Sequence, residues 1–315
     1  METYNTQDEM KKITLYKSQC INQDEIWDVG ANEFALYSKK ISFYYKIANI
    51  FSSFIDVHKH TNICDLGCGS SGLLVNKILQ TNGNIENLFC VDYSSEMLNV
   101  CADNVIESNK IKYIQTQAEE FSKYLPCELD MVIADCSFWL FETQKTLKEI
   151  YSSLKNGGDF VFNFAEWDFD FENHVPHPKY KFVDVELQKR NIEIIKEGGG
   201  KKKFSKENIE NLLFDNGFSI ISIEDVYIET TKEDWLNFYS ISSIVKRSMP
   251  LLKLDLGMDI LKSAINNMNV EQFKPIRWIF YHAKKNSKEI ESLKIINKNA
   301  EQSTASNKPI CRHEG

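Results

Sequence analysis

Short apolar runs alternate along this chain with stretches in which apolar residues recur every three or four positions. The runs are Thr61 to Leu66, Leu88 to Val91, Ile111 to Ile114, Leu129 to Ala134 and Asp159 to Phe164. Their length and their β-branched and aromatic content predict buried strands. Between them, Leu73 to Leu79, Glu96 to Glu107 and Lys145 to Leu154 carry the helical period, and Asn156-Gly157-Gly158 stops the last of these. Strands alternating with helices predict an α/β fold: a doubly wound, mostly parallel sheet with helices on both faces. Beyond it, Lys206 to Asn216 reads as a helix ended by Gly217, Phe218 to Ile228 as a sixth strand, and a seventh begins near Ile276 and includes Phe280 to Ala283.

Two further segments flank this core. Trp27, Ala31, Phe34, Tyr37, Ile41, Tyr44, Ala48 and Phe51 fall at helical spacing and predict a helical stretch from Glu25 to about Ile55. Between the last two strands, Asp234 to Val245 and Asp259 to Met268 predict two helices inside the insertion 231–272. An insertion of that length is usually functional, and it reads as a helical lid. The resulting organisation is a flexible arm over 1–24, one domain over 25–285 with N-terminal helices over 25–60, and a disordered polar tail over 286–315. No internal repeat is present.

With 315 residues, 43% of them apolar, the chain can bury a substantial core, and its net charge is −8. An acidic chain is a poor partner for phosphate backbones, so no nucleic acid is expected. The run Lys201-Lys202-Lys203 follows three glycines and reads as a solvated loop. The eight cysteines contain no C-x-x-C pair and no matching histidine spacing, which predicts neither a disulfide frame nor a bound metal. There is no basic-then-apolar leader and no run long enough to span a membrane, so the expected location is the cytoplasm. The sequence does not specify an oligomeric state.

The first strand ends in Asp65-Leu66-Gly67-Cys68-Gly69-Ser70-Ser71-Gly72. Glycines there let a ligand lie directly against the backbone. The spacing alone is common to many nucleotide-binding folds. Two acids sharpen it. Asp92, at the tip of the second strand, suits a ribose diol, because a carboxylate accepts two hydrogen bonds. Asp65, beside the loop, would repel a pyrophosphate and attract a cation. That weighs against a nicotinamide dinucleotide and for adenosine joined to a cationic group. The combination of this loop with Val91-Asp92-Tyr93-Ser94-Ser95-Glu96-Met97-Leu98 resembles the cofactor motifs of class I S-adenosylmethionine-dependent methyltransferases, and the small-molecule branch in particular.

The resemblance implies S-adenosylmethionine as cofactor and a cofactor-binding core over 61–165. The site residues it implies are Asp65, Gly67, Cys68, Gly69 and Gly72 in the loop, Asp92, Tyr93 and Met97 after the second strand, Gln117, Ala118 and Glu119 after the third, and Asp135 and Cys136 after the fourth. Ser94 or Ser95 is placed to cap the helix containing Met97. The segment Ala134-Asp135-Cys136-Ser137 lacks the proline tetrad of enzymes that methylate nucleobase or glutamine nitrogens. Phe138, Trp139 and Trp167 are candidates to contact the acceptor, and Tyr37 or Tyr44 to roof the site; each is also readable as ordinary core packing. The stretch 166–204 leaves the carboxyl edge of the sheet and reads as an active-site loop. Its His174 and His177 are the candidate general bases, with Glu166, Asp168 and Tyr281 behind them. The expected activity is methyl transfer to a small, partly apolar molecule such as a natural product or lipid-like acid, by positioning and exclusion of water. Two alternatives are a methyltransferase acting on a protein or carrier-bound acyl chain, and a non-catalytic binding member of the fold.

Overall fold

The computed structural model describes residues 13–16, 24–170, 173–195 and 206–286. The 201–203 lysine run, Phe171, Glu172, most of the 1–24 arm and 287–315 lie outside the described residues. The centre is a seven-stranded sheet of β1 (Asn62–Leu66), β2 (Asn87–Asp92), β3 (Ile111–Gln115), β4 (Leu129–Ala134), β5 (Leu154–Glu166), β6 (Phe218–Ile228) and β7 (Ile276–Lys285). Their spatial order is β6-β7-β5-β4-β1-β2-β3. The five strands from β1 to β5 pair in parallel, and β7 runs antiparallel to both β5 and β6. The predicted fold class is the observed one.

Period-two alternation places the two cores. Along β1, Ile63 packs into the core on one face while Cys64 and Leu66 pack into that on the other; Val161 and Phe160 divide β5 in the same way. One face is covered by α3 (Ser42–Ser53), α4 (Leu73–Thr81) and, beyond them, α11 (Leu254–Asn266), through residues such as Phe51, Ile78 and Ile260. The other is covered by α6 (Thr143–Ser153) and α8 (Lys206–Asp215), through Leu147, Ile150 and Leu213. Every residue of β1 is buried, as a central parallel strand requires.

The flanking segments differ from the sequence expectation in detail. The N-terminal stretch is three helices, α1 (Asp24–Val29), α2 (Ala31–Ser38) and α3. The insertion also holds three: α9 (Lys232–Phe238), α10 (Ser242–Ser248) and α11. The 166–204 stretch is not simply a loop. After β5 it forms a two-residue hairpin of Phe169–Asp170 with Val175–Pro176, then α7 (Lys179–Lys189), then a strand Ile192–Ile195 that pairs in parallel with Ile13–Tyr16. Asn286, assigned to the tail, is buried and its N–H donates to Gly217 O at 3.0 Å.

Long-range contacts explain two of the helix breaks. Ile41 and Ile241 are extended, and neither has a side chain able to cap the helix that follows. The missing acceptors come from the opposite segment. Asp234, in α9, accepts from Ser42 N at 2.7 Å at the start of α3. Glu33, in α2, accepts from Ser242 N at 2.6 Å at the start of α10. The break at Gly30 is a close approach, since a Cβ there would lie 2.8 Å from Ser243 Oγ. The N-terminal helices and the insertion therefore form one cap through reciprocal capping. Asp234 also accepts from Ser42 Oγ, Thr231 N and Thr231 Oγ1. Asp234→Ala removes all of these and should destabilise the protein by about 2–4 kcal/mol in urea unfolding, whereas Glu33→Ala should cost only about 1 kcal/mol.

Candidate functional site

A cavity of about 730 Å3 opens at the carboxyl ends of β1, β2 and β4, under the cap. Its floor is the glycine loop. Gly67 and Gly69 have φ of 75° and 59°, in the left-handed region that glycine adopts without strain. A Cβ on Gly67 would sit 2.6 Å from Ser137 Cβ, so only glycine fits there. The loop is tied down on both sides: Gly67 N and Cys68 N donate to Val91 O at 2.7 and 3.1 Å, and Ser137 Oγ donates to Leu66 O at 2.7 Å.

Three carboxylates face this cavity from adjacent strand ends. Asp92 accepts from Gly69 N and Ser94 N, each at 3.0 Å, which fixes its orientation. Asp135 is held by Asn163 Nδ2 at 3.4 Å, while Asn163 Oδ1 accepts from Cys136 N at 2.8 Å across the positive-φ residue Cys136. Asp65 is buried, and its Oδ1 has no hydrogen-bond partner. Burial raises all three pKa values. Asp92 and Asp135 are pushed up to about 6, and Asp65 well above the usual carboxylate range, with the charges of Asp135 and Asp92 adding to the effect of burial. Tyr44 projects from α3 beside Asp135 and Cys136, and burial followed by those two neighbours raises its hydroxyl well above the ordinary value, so it stays protonated.

Most of the residues implied by the motif come together here. Asp65, Gly67, Cys68, Gly69, Asp92, Tyr93, Met97, Gln117, Ala118, Glu119, Asp135 and Cys136 all line the cavity. Ser94 Oγ caps α5 (Ser95–Asn104) by accepting from Met97 N at 3.0 Å. Gly72 does not line the cavity; at φ 66° it begins α4 against Val105. Glu119 has a second engagement, since its Oε1 accepts from Glu142 N at 2.6 Å at the start of α6. Of the acceptor-side candidates, Trp139, Trp167 and Tyr44 line the cavity. Tyr37 does not, and the Lys40 ammonium lies over its ring at 5.1 Å. Phe138 is buried among Phe160, Phe162 and Phe164, because the short turn after β4 points it into the core and Trp139 outward.

Neither histidine reaches the cavity. His174 is exposed in the hairpin turn at φ 55°. His177 is buried against Trp235, its Nδ1 accepts from Lys179 N at 3.2 Å, and burial followed by the Lys179 charge pushes its pKa down to about 3. It is a neutral packing residue. Tyr281 is likewise core, stacked on Phe162, and Glu166 pairs with Arg277 at 3.2 Å. Sequence reasoning did not single out Lys179, Tyr180, Phe238, Tyr239, Ile244 or Arg247, all of which line the cavity. The one signal available for Lys179 was Pro178, a helix-starting residue in the middle of an aromatic segment.

Residues 57–212 match the family model described as a methyltransferase domain. By this match residues 57–212 form a class I S-adenosylmethionine-dependent methyltransferase domain. Its cofactor is therefore S-adenosylmethionine. Among curated proteins, the chain is 28% identical over 137 residues to a carboxy-S-adenosyl-L-methionine synthase of Staphylococcus epidermidis; the match covers 42% of this chain and 58% of that one, so the chain spans little more than half the length of that relative. The fold is shared with the Haemonchus contortus phosphoethanolamine N-methyltransferase 2, at 17% identity and TM-score 0.52 over 85% of this chain and 61% of that one. It is also shared with the [4+2]-cyclase SpnF, at 13% identity and TM-score 0.51 over 84% and 94%. The cap of this methyltransferase, α1 to α3 with α9 to α11, lies outside residues 57–212.

The raised carboxylates give a pH signature. An acid whose pKa is higher folded than unfolded favours folding below its unfolded value of about 3.8, and that contribution is lost as pH rises to about 6. The free protein should lose part of its stability between pH 4 and 6, and S-adenosylhomocysteine should restore it, so the ligand-induced rise in Tm should grow from pH 5 to pH 7.5. A pH-independent shift would contradict this electrostatic account.

Proposed function

We propose that this protein transfers a methyl group from S-adenosylmethionine to a small, partly apolar acceptor enclosed beneath the cap. The observation that carries the reading is Asp65: a buried carboxyl oxygen without a partner, beside a turn that only glycine can make. A buried, unpaired acceptor costs about 1–3 kcal/mol, which a ligand donor removes. The cofactor's ammonium group is such a donor. Asp92, already oriented by two backbone N–H groups, would take the ribose hydroxyls, and the Gln117–Glu119 segment would border the adenine. When bound, the cofactor supplies a methyl group already activated on a sulfonium. The chain's own work is to place an acceptor in line with it and to keep water out.

The acceptor side supports a small molecule. Trp139, Trp167, Tyr44, Phe238 and Tyr239 present aromatic surface within the cavity, and Trp167 stacks on Phe238 at 5.2 Å. Such walls suit a planar or apolar body held out of solvent. Among the described residues no histidine reaches the site, and Tyr44 keeps its proton, so these walls position the acceptor without supplying a strong base.

Calorimetric titration tests the cofactor half of this reading. S-adenosylmethionine and S-adenosylhomocysteine should bind with micromolar Kd and NADH should not. Asp92→Ala should remove measurable binding. Burial holds the Asp65 pKa well above the ordinary carboxylate range and a bound cation lowers it, so binding should be accompanied by proton release, read from the difference in enthalpy between two buffers. Asp65→Asn should abolish that release and weaken the cofactor tenfold or more, about 1.4 kcal/mol, yet leave 5′-methylthioadenosine, which lacks the ammonium, unchanged. Tritiated methyl uptake over a panel of small acceptors tests the other half; transfer only to proteins would overturn it.

A further inference from the structure

Lys179 opens α7, and its side chain is 5% exposed although it lines the cavity. An ammonium has three N–H donors. One donates to Trp167 O at 2.7 Å. The rest of the charge rests on ring faces, with Trp235 at 4.4 Å and Tyr180 at 5.2 Å from their centroids. The carboxylate of Asp168 is 3.9 Å away, beyond hydrogen-bond range, three-quarters exposed, and engaged by the Tyr180 hydroxyl. Among the described residues, no carboxylate lies within hydrogen-bond distance of Lys179 Nζ. A buried cation left this way has its desolvation penalty only partly compensated, and burial pushes its pKa down to about 8, with Asp168 opposing, so it remains largely charged at neutral pH.

The position of this charge matters. The acids occupy the ends of β1, β2 and β4, while Lys179 stands beyond the end of β5, beside Trp167. An anion entering the cavity is repelled from the first region and attracted to the second. We propose that the methyl acceptor carries a carboxylate or a phosphate and that Lys179 Nζ binds it against the Trp167 and Tyr180 wall. The assignment rests on the methyl-transfer reading and narrows its acceptor class. A lysine here supplies both the affinity for the anion and the direction in which the acceptor lies, with its apolar body along Trp167 and its nucleophilic atom toward the acidic end.

The test uses the full chain saturated with S-adenosylhomocysteine. Phenylacetate, hexanoate and phenyl phosphate are titrated alongside phenylacetamide, hexanamide and phenol, by calorimetry or saturation-transfer NMR. At least one anion should bind more than tenfold tighter than its neutral counterpart, and whether carboxylate or phosphate does so identifies the headgroup. Lys179→Met should weaken that anion tenfold or more, Lys179→Arg should keep it within about threefold, and both should hold S-adenosylhomocysteine within twofold of the parent. The assignment is overturned if no anion binds, if the neutral probes bind as well, or if Lys179→Met binds the anion unchanged. It is also overturned if folded Lys179→Met loses S-adenosylhomocysteine, which would mean that Lys179 holds the cofactor's own carboxylate. If the parent protein fails to bind S-adenosylhomocysteine, the methyl-transfer reading falls, and the same anion titrations without it still decide the role of Lys179.

Discussion

Holding carboxylates out of water is the constraint on which this molecule turns. A parallel sheet collects its strand ends at one edge, and here the ends of β1, β2 and β4 each deliver an acid to the same enclosed space. Among the described residues, nothing neutralises them in full. Asp92 and Asp135 are steadied by backbone N–H and amide donors, Asp65 only by its neighbours' packing. The free protein carries this as electrostatic strain, and a cation with adenosine attached is the shape that relieves it. On the proposed reading, binding and folding draw on one energy, because the groups that weaken the free protein would be those that meet the ligand.

The cap has a different logic. It is built from two segments that share no sequence neighbourhood, and each leaves a helix start without its own cap. Asp234 and Glu33 supply the missing acceptors crosswise, while Gly30 lets the segments close to contact. Aromatic residues then fill the space between cap and sheet edge, with Trp167 stacked on Phe238 and set edge-on to Trp278 and Phe43. The result is a polar floor under an aromatic roof.

Much of the fold was legible in the sequence because its signals are local. Buried runs such as Leu129 to Ala134 need only their own composition to read as strands, and β6 runs from Phe218 to Ile228 as its pattern implies. The Asp65–Gly72 turn and the Ser94 cap are likewise written in adjacent residues. What escaped depends on distant chain. The breaks at Ile41 and Ile241 follow from acceptors 192 and 209 residues away. His177 had the intrinsic chemistry of a base, but burial against Trp235 took it from the site, and no local pattern announces burial of that kind. Phe138 and Trp139 are adjacent, and a single turn decides which one lines the cavity. Lys179 carries no local sign of its burial, which the packing of distant aromatic residues imposes.

The crosswise capping also bears on how such a protein can be rebuilt. Residues 57–212 carry the family resemblance, and the cap lies on either side of them. A graft that moved only the insertion to another core would bring a carboxylate at Asp234 without its Ser42 donors, and a helix at Ser242 stripped of its acceptor. Moving only the N-terminal helices would leave the mirror-image defect. The two halves are one transplantable part, to be moved together, even though most of the central sheet lies between them in sequence.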